Sequence, residues 1–395
     1  MKRLIRKSHF DNLYAIRFIA FLAIFFSHGF ITSNQQLNVS TLFMDLRQVT
    51  GNLNNVAYSL LFILTGFLNT WGIFEERFIY KKMNILRYYV RRVLTLIPLY
   101  LVIFILGYYV APQVQTGLES TQAQSIPTWS YLSFLSNFYY TGHGNTKHLI
   151  IGNMWSIAVT FQFVIIWPLL MRYFRRNEVW LFGLCIAVFA GASYFYADQP
   201  GFRYNTLNIL CDFVLGAYLA YFSFFKYKLY NSLKSNTKRT NAAVYLCFFS
   251  YILFREKIAG YFDMIPSQLY FILERLALAS TLAYFVFEQN FGSNSILKLA
   301  KLKIFNQPGK MVYGMYAYHA IGLILGYVIM EFMIDKQGAA SVLLLEPFLA
   351  LIVTTALTLI SYEFFEKKFI RRKKNYQPSR EYNPVGLQDV KTKPA

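Results

Sequence analysis

Ten stretches of nearly continuous apolar residues divide the chain, at 12–32, 53–72, 88–110, 153–172, 178–197, 205–224, 240–255, 267–287, 312–332 and 341–365. Each approaches the roughly 20 residues a helix needs to cross the ~30 Å hydrocarbon core of a bilayer. The pattern predicts an all-α fold, a polytopic integral membrane protein with about ten transmembrane helices. One segment breaks the rhythm. Residues 111–152 are polar at first and then read WSYLSFLSNFYY, too short to span and too aromatic to sit free in water, which predicts an interfacial or re-entrant helix.

The polar connections alternate in charge. Those at the N-terminus, 73–92, 172–177, 225–240, 288–311 and the C-terminal tail carry 31 Lys and Arg, whereas those at 33–52, 111–152, 198–204, 255–266 and 333–341 carry 6. The positive-inside rule then places both termini in the cytoplasm. The membrane-embedded part is expected over 1–366, followed at 367–395 by a basic, disordered cytoplasmic tail touching anionic lipid.

Composition agrees. Of 395 residues 56% are hydrophobic, 19% aromatic and only 15% charged, with a formal charge of +20 and a mean hydropathy of +0.35. A nucleic-acid partner is not expected, because the basic residues fall in short clusters between apolar segments rather than on one patch. The first span is read as retained, being well flanked by charge and followed by no small-residue cleavage pattern. Cys185, Cys211 and Cys247 all lie inside proposed spans, so neither a disulfide framework nor a thiolate metal site is expected. His143 and His148 are five residues apart with no acidic neighbour, a spacing read as surface histidines; no metal is assigned.

Two ionisable residues interrupt the first apolar run, LYAIRFIAFLAIFFSHGF. Arg17 and His28 are eleven residues apart, which returns them to within about 20° of one helical face at depths differing by about 16 Å. Charges in hydrocarbon cost about 2.5–3.5 kcal/mol each and mark function by default, although snorkelling anchors at the two ends of the span are the alternative. A basic, aromatic connection holds Arg87, Arg91 and Arg92, read either as a clamp on lipid headgroups or as a cradle for donor phosphates. Asp212, Glu274 with Arg275, and Glu346 also fall inside proposed spans, in their outer halves, where structural pairing is the competing reading.

Several of these segments resemble the acyltransferase-3 family of membrane-bound acyltransferases: Arg17, Ala20 and His28 in the first span, Thr65-Gly66-Phe67 in the second, NMWSIAVTFQFVIIWP with Trp155, Ser156, Gln162, Phe163, Trp167 and Pro168 in the fourth, and MVYGMYAYHAIGLI ending at His319 in the ninth. Two departures stand out. Thr160 and Phe161 occupy the positions of the family's two central glutamates, and Thr95 stands where the family has a second arginine before its proline.

The resemblance implies transfer of an acyl group, commonly acetyl, from cytoplasmic acyl-CoA across the membrane to a hydroxyl of a cell-envelope polysaccharide or lipid-linked glycan. On that expectation His28 is the general base, Arg17 holds a donor phosphate or the thioester carbonyl, and His319 joins them. Arg87, Arg91 and Arg92 would bind the donor; Trp155, Ser156, Gln162, Asp212, Glu274 and Glu346 would face the acceptor. Acyl-CoA is a co-substrate, with no tightly bound cofactor. The implied partners are membrane lipids, the glycan and a separate polysaccharide-assembly protein; the implied site is a bacterial inner membrane, with lipopolysaccharide among the acceptors. A transporter or glycan flippase, and a family member that binds glycan or lipid without transfer, are the alternatives.

Overall fold

The computed structural model describes residues 10, 12–29, 40–111, 126–143, 149–262, 264–333 and 341–376. Every regular element among them is helical. Ten long helices follow the ten apolar stretches: α1 Asn12–Gly29, α2 Thr41–Tyr80, α3 Ile85–Val110, α4 Ile150–Tyr173, α5 Glu178–Tyr196, α6 Thr206–Phe225, α7 Lys238–Gly260, α8 Ser267–Phe291, α9 Val312–Met333 and α10 Leu343–Lys374. Nine are long and apolar enough to cross a membrane, so the chain is a multi-pass membrane protein. The exception is α7. It has the length for a span, but Arg255, Glu256 and Lys257 lie in its last turns and its backbone breaks from helical geometry at Phe254.

Two boundaries differ from expectation. α2 continues for 40 residues, about 60 Å at 1.5 Å per residue, and is capped at its start by Ser40, whose side chain accepts from the Phe43 amide. At the other end α10 runs on through Lys374, past the boundary placed at 366. Residues 377–395, the rest of the expected tail, lie outside the described residues.

α2 and α6 form the central pair. A Cβ on Gly66 would lie 2.0 Å from the Phe213 carbonyl oxygen, and one on Gly216 would lie 2.1 Å from that of Ile63. Only glycine allows backbones this close, which gives Thr65-Gly66-Phe67 its physical role. Around the contact Phe213 stacks on Phe163 of α4 with centroids 4.1 Å apart, and Trp167 donates from Nε1 to Thr70 Oγ1 at 2.8 Å.

The segment expected at the interface forms two short helices, Thr128–Leu132 and Ser136–His143. Tyr131 and Tyr140 bury both rings and share a hydroxyl contact of 2.9 Å. His148 lies outside the described residues, and the side chain of His143 is not described. Among the described residues no group of three or more His, Cys, Asp or Glu side chains is placed to hold a metal.

Candidate functional site

Two cavities open into the bundle. The first, of about 440 Å³, contains His28, Trp155, Asp212, Glu274, Arg275 and His319 among its walls. The second, of about 1230 Å³, is lined by Arg17, Thr160, Lys310, Tyr313, Glu366 and Lys373 among others. Tyr58 and Phe62 belong to both. Arg17 and His28, one face of α1 at two depths, thus serve different cavities that meet in the middle of the protein.

The histidines come together. The rings of His28 and His319 lie 5.4 Å apart at an interplanar angle of 25°, although counting residues along the ninth apolar stretch puts His319 nearer the cytoplasmic side than His28. The short helix Lys303–Gly309 before α9 packs directly on α1: Gly309 meets the Tyr14 carbonyl so closely that a Cβ would sit 2.1 Å away. α9 therefore begins beside the first turn of α1. His319 is fixed on both nitrogens, with Nδ1 against the Tyr316 carbonyl and Nε2 3.3 Å from Asn153 Nδ2. A carbonyl can only accept, so Nδ1 carries the proton and Nε2 accepts from the amide. His28 Nδ1, by contrast, is buried without a hydrogen-bond partner among the described residues.

Hydroxyl groups build the wall between the cavities. Tyr316 OH lies 2.6 Å from Ser156 Oγ and 3.2 Å from Tyr58 OH, and donates to the Asn153 carbonyl at 3.0 Å. Ser156 thus faces the Arg17 cavity, whereas Trp155 lines the His28 cavity with Tyr58 and Tyr204 rings 5.1 Å from its own. Alternate sides of one helix serve alternate cavities.

The carboxylates in the His28 cavity are engaged. Asp212 pairs with Arg275 Nη2 at 2.6 Å, and Arg275 Nη1 donates to Ser59 at 2.8 Å. Glu274 holds Arg255 through Nε at 2.8 Å and Nη2 at 3.1 Å and also accepts from Tyr251. The first is a buried ion pair and the second a half-buried one, and each holds charge in place. Gln162 is saturated: its amide donates to the Phe134 carbonyl at 2.6 Å and to Asn137 at 2.7 Å while Oε1 accepts from Thr206 at 2.5 Å. It lines neither cavity, and ties α4 to the short outer helices and α6. Glu346 is buried at the start of its helical segment and also lines neither cavity.

At the other end the expected arginine cluster divides. Arg87 is exposed, Arg91 pairs with Glu76 at 3.1 Å and donates to the Tyr376 carbonyl at 2.8 Å, and Arg92 lies 5.3 Å above the Tyr88 ring. None lines the Arg17 cavity. Its cations are Arg17, Lys310 and Lys373, and among the described residues Arg17 makes no ion pair. Tyr313 donates to the Leu96 carbonyl at 2.7 Å beside Pro98, where α3 lacks one of its own donors. Thr160 lines this cavity, whereas Phe161 turns away to stack on Phe134 at 3.9 Å.

Sequence reasoning missed Tyr58, Asn153, Tyr316 and the pair Glu366 and Lys373. Tyr316 had a signal, since it precedes His319 by three residues and so shares its helical face. Glu366 and Lys373 had none, falling at the boundary of a segment read as tail.

Residues 10–363 match the model of a family described as an acyltransferase domain, Acyl_transf_3. Over 348 residues the chain is 24% identical to a Bacillus subtilis (strain 168) protein named "Putative peptidoglycan O-acetyltransferase YrhL", a match that covers 84% of this chain and 52% of that protein. The chain thus spans about half the length of that relative. No solved structure matches it significantly. With the family match extending from the start of α1 into α10, the chain belongs to the acyltransferase-3 family.

Proposed function

We propose that this domain transfers an acyl group, commonly acetyl, from acyl-CoA bound in the Arg17 cavity to a glycan hydroxyl bound in the His28 cavity. The observation that carries the reading is the pair of cavities meeting at Tyr58 and Phe62, with an arginine in one that makes no ion pair among the described residues and a histidine nitrogen in the other that has no hydrogen-bond partner among them. The charge alternation of the connections supports a cytoplasmic Arg17 cavity and an outward His28 cavity, so the acyl group crosses the membrane at the wall. The relative's printed name supports a peptidoglycan or other envelope glycan as acceptor.

In this reading Arg17, with Lys310 and Lys373, holds donor phosphates, for which a guanidinium offers a planar fork. The thioester reaches the hydroxyl-lined wall. His28 Nδ1 takes the proton from the acceptor hydroxyl, the oxygen bonds to the acyl carbon, the carbon–sulfur bond breaks, and the thiolate takes up a proton. Histidine suits that task because its ordinary pKa is near 6.5. Stacked His319, locked by Asn153 and Tyr316, fixes the His28 ring.

Thr160 in the Arg17 cavity favours one second reading, a domain that binds its ligands without transferring anything. Labelled acetyl-CoA incubated with membrane vesicles carrying the protein separates the two. Label moving into the glycan fraction, and lost with His28→Ala, supports transfer; no label above empty vesicles overturns it.

A further inference from the structure

Four residues lining the same small cavity each carry a buried polar atom without a partner among the described residues: His28 Nδ1, Asn54 Oδ1, Asn208 Oδ1 and Arg275 Nε. Buried polar groups are nearly always hydrogen-bonded, and each one left alone costs about 1–3 kcal/mol. Four converging on one cavity describe a ligand by its complement. The two amide oxygens can only accept, so the ligand brings hydroxyl donors; the guanidinium nitrogen can only donate, so it also brings an acceptor.

Charge narrows that acceptor. Arg275 and Arg255 are matched by Asp212 and Glu274. Arg203, on the same cavity, has no carboxylate among the described residues; it is exposed, with its guanidinium 4.8 Å over the Tyr204 ring. The cavity therefore carries one more positive charge than its own acids neutralise. Trp155 contributes an aromatic wall between the Tyr58 and Tyr204 rings, of the kind that sugar faces pack upon. The volume of about 440 Å³ is that of a small-ligand site.

We propose that the acceptor is an acidic glycan, whose sugar carries a carboxylate held by Arg203 and the Nε edge of Arg275 while its hydroxyls satisfy Asn54 and Asn208. This rests on the assignment of the His28 cavity to the acceptor and names its chemical class. The carboxylate sets the ring against Trp155, so that one particular hydroxyl faces His28. Arg203, exposed at the cavity, draws the acid in.

The test uses the full chain in detergent and three additives: a trisaccharide of galacturonic acid, the same trisaccharide with its carboxylates reduced to neutral alcohols, and glucose 6-phosphate. Binding is read by isothermal titration without any acyl donor. The acidic trisaccharide is expected to bind at least about ten-fold more tightly than the neutral one, a difference of about 1.4 kcal/mol, and Arg203→Gln to erase that difference. Arg203→Lys, which keeps the charge, should retain part of it and shows that the fold is intact. Equal affinity for the two trisaccharides, or a preference untouched by Arg203→Gln, overturns the proposal. Tighter binding of glucose 6-phosphate than of the acidic trisaccharide overturns the choice of a carboxylate. Because no donor is present, failure of acyl transfer leaves this result standing, and loss of the acid preference leaves the transfer assay untouched.

Discussion

His28 and His319 stack 5.4 Å apart, yet only one of them has a nitrogen to spare. The Tyr316 carbonyl and the Asn153 amide occupy both nitrogens of His319, while Nδ1 of His28 has no partner among the described residues. Under the proposed function the pair divides into a base and its support. His28→Ala should lower acyl transfer by about 10²-fold or more with donor binding unchanged. Asn153→Ala, which releases His319, should give a smaller loss confined to kcat. Initial rates of labelled acetyl transfer at matched protein levels check both, and equal activity of His28→Ala and wild type removes the base assignment.

Arg17 should behave as the donor's anchor. Arg17→Lys keeps the charge but loses the fork, so the apparent KM for acyl-CoA should rise by about ten-fold, and Lys373→Ala should act in the same direction. Arg87→Ala should change nothing, because that side chain is exposed outside the cavity. A KM that follows Arg87 instead would return the donor to the arginine cluster read from the sequence.

The contrast between Arg17 and Arg87 shows what was legible in the sequence. Apolar run length announces helices, because a bilayer requires about 20 such residues whatever they pack against; all ten runs became helices. A charge inside a run is equally readable, since it is expensive wherever it points, and Arg17, His28, Asp212 and Glu274 all line cavities. What spacing does not reveal is the partner. Nothing in the sequence says that Arg91 meets Glu76 or that Gln162 is consumed by Phe134, Asn137 and Thr206. Those contacts depend on helix order and tilt. The stacking of His319 on His28 was not legible for the same reason.

The charge of the connections predicts an orientation for the bundle, with both termini cytoplasmic. Ser120→Cys and Ser232→Cys, one in a poorly charged connection and one in a basic one, should react differently with a membrane-impermeant maleimide. Intact cells should label the first and not the second. Labelling of both from outside would contradict two cytoplasmic termini.

Gly66 and Gly72 lie on the same helix in opposite circumstances. A Cβ at Gly66 would strike the Phe213 carbonyl at 2.0 Å, whereas one at Gly72 meets nothing within 4 Å. Gly66→Ala should force α2 and α6 apart and cost about 1–3 kcal/mol, read as a lower midpoint of thermal unfolding in detergent. Gly72→Ala should leave the midpoint unchanged or raise it slightly, since alanine is the better helix former. Equal effects at both sites would mean that the glycine contact is not what joins the pair.

Asp212 and Arg275 separate structural from chemical roles in the His28 cavity. Asp212 is almost wholly buried and lies 2.6 Å from the guanidinium. Removing one partner strands the other's charge, at a cost of about 3–5 kcal/mol, whereas removing both charges together can be nearly neutral. Asp212→Asn should therefore lower the yield of folded protein sharply, and Asp212→Asn with Arg275→Gln should recover much of it. If Asp212 were the catalytic base instead, the double variant would fold and remain inactive towards every acceptor, neutral ones included. The pairing shown here predicts otherwise: a neutral acceptor should still be acylated at a rate set by His28, and only the preference for an acidic one should be lost along with Arg275. Measuring folded yield by size-exclusion chromatography, and transfer to the acidic and the carboxyl-reduced trisaccharide side by side, distinguishes the two.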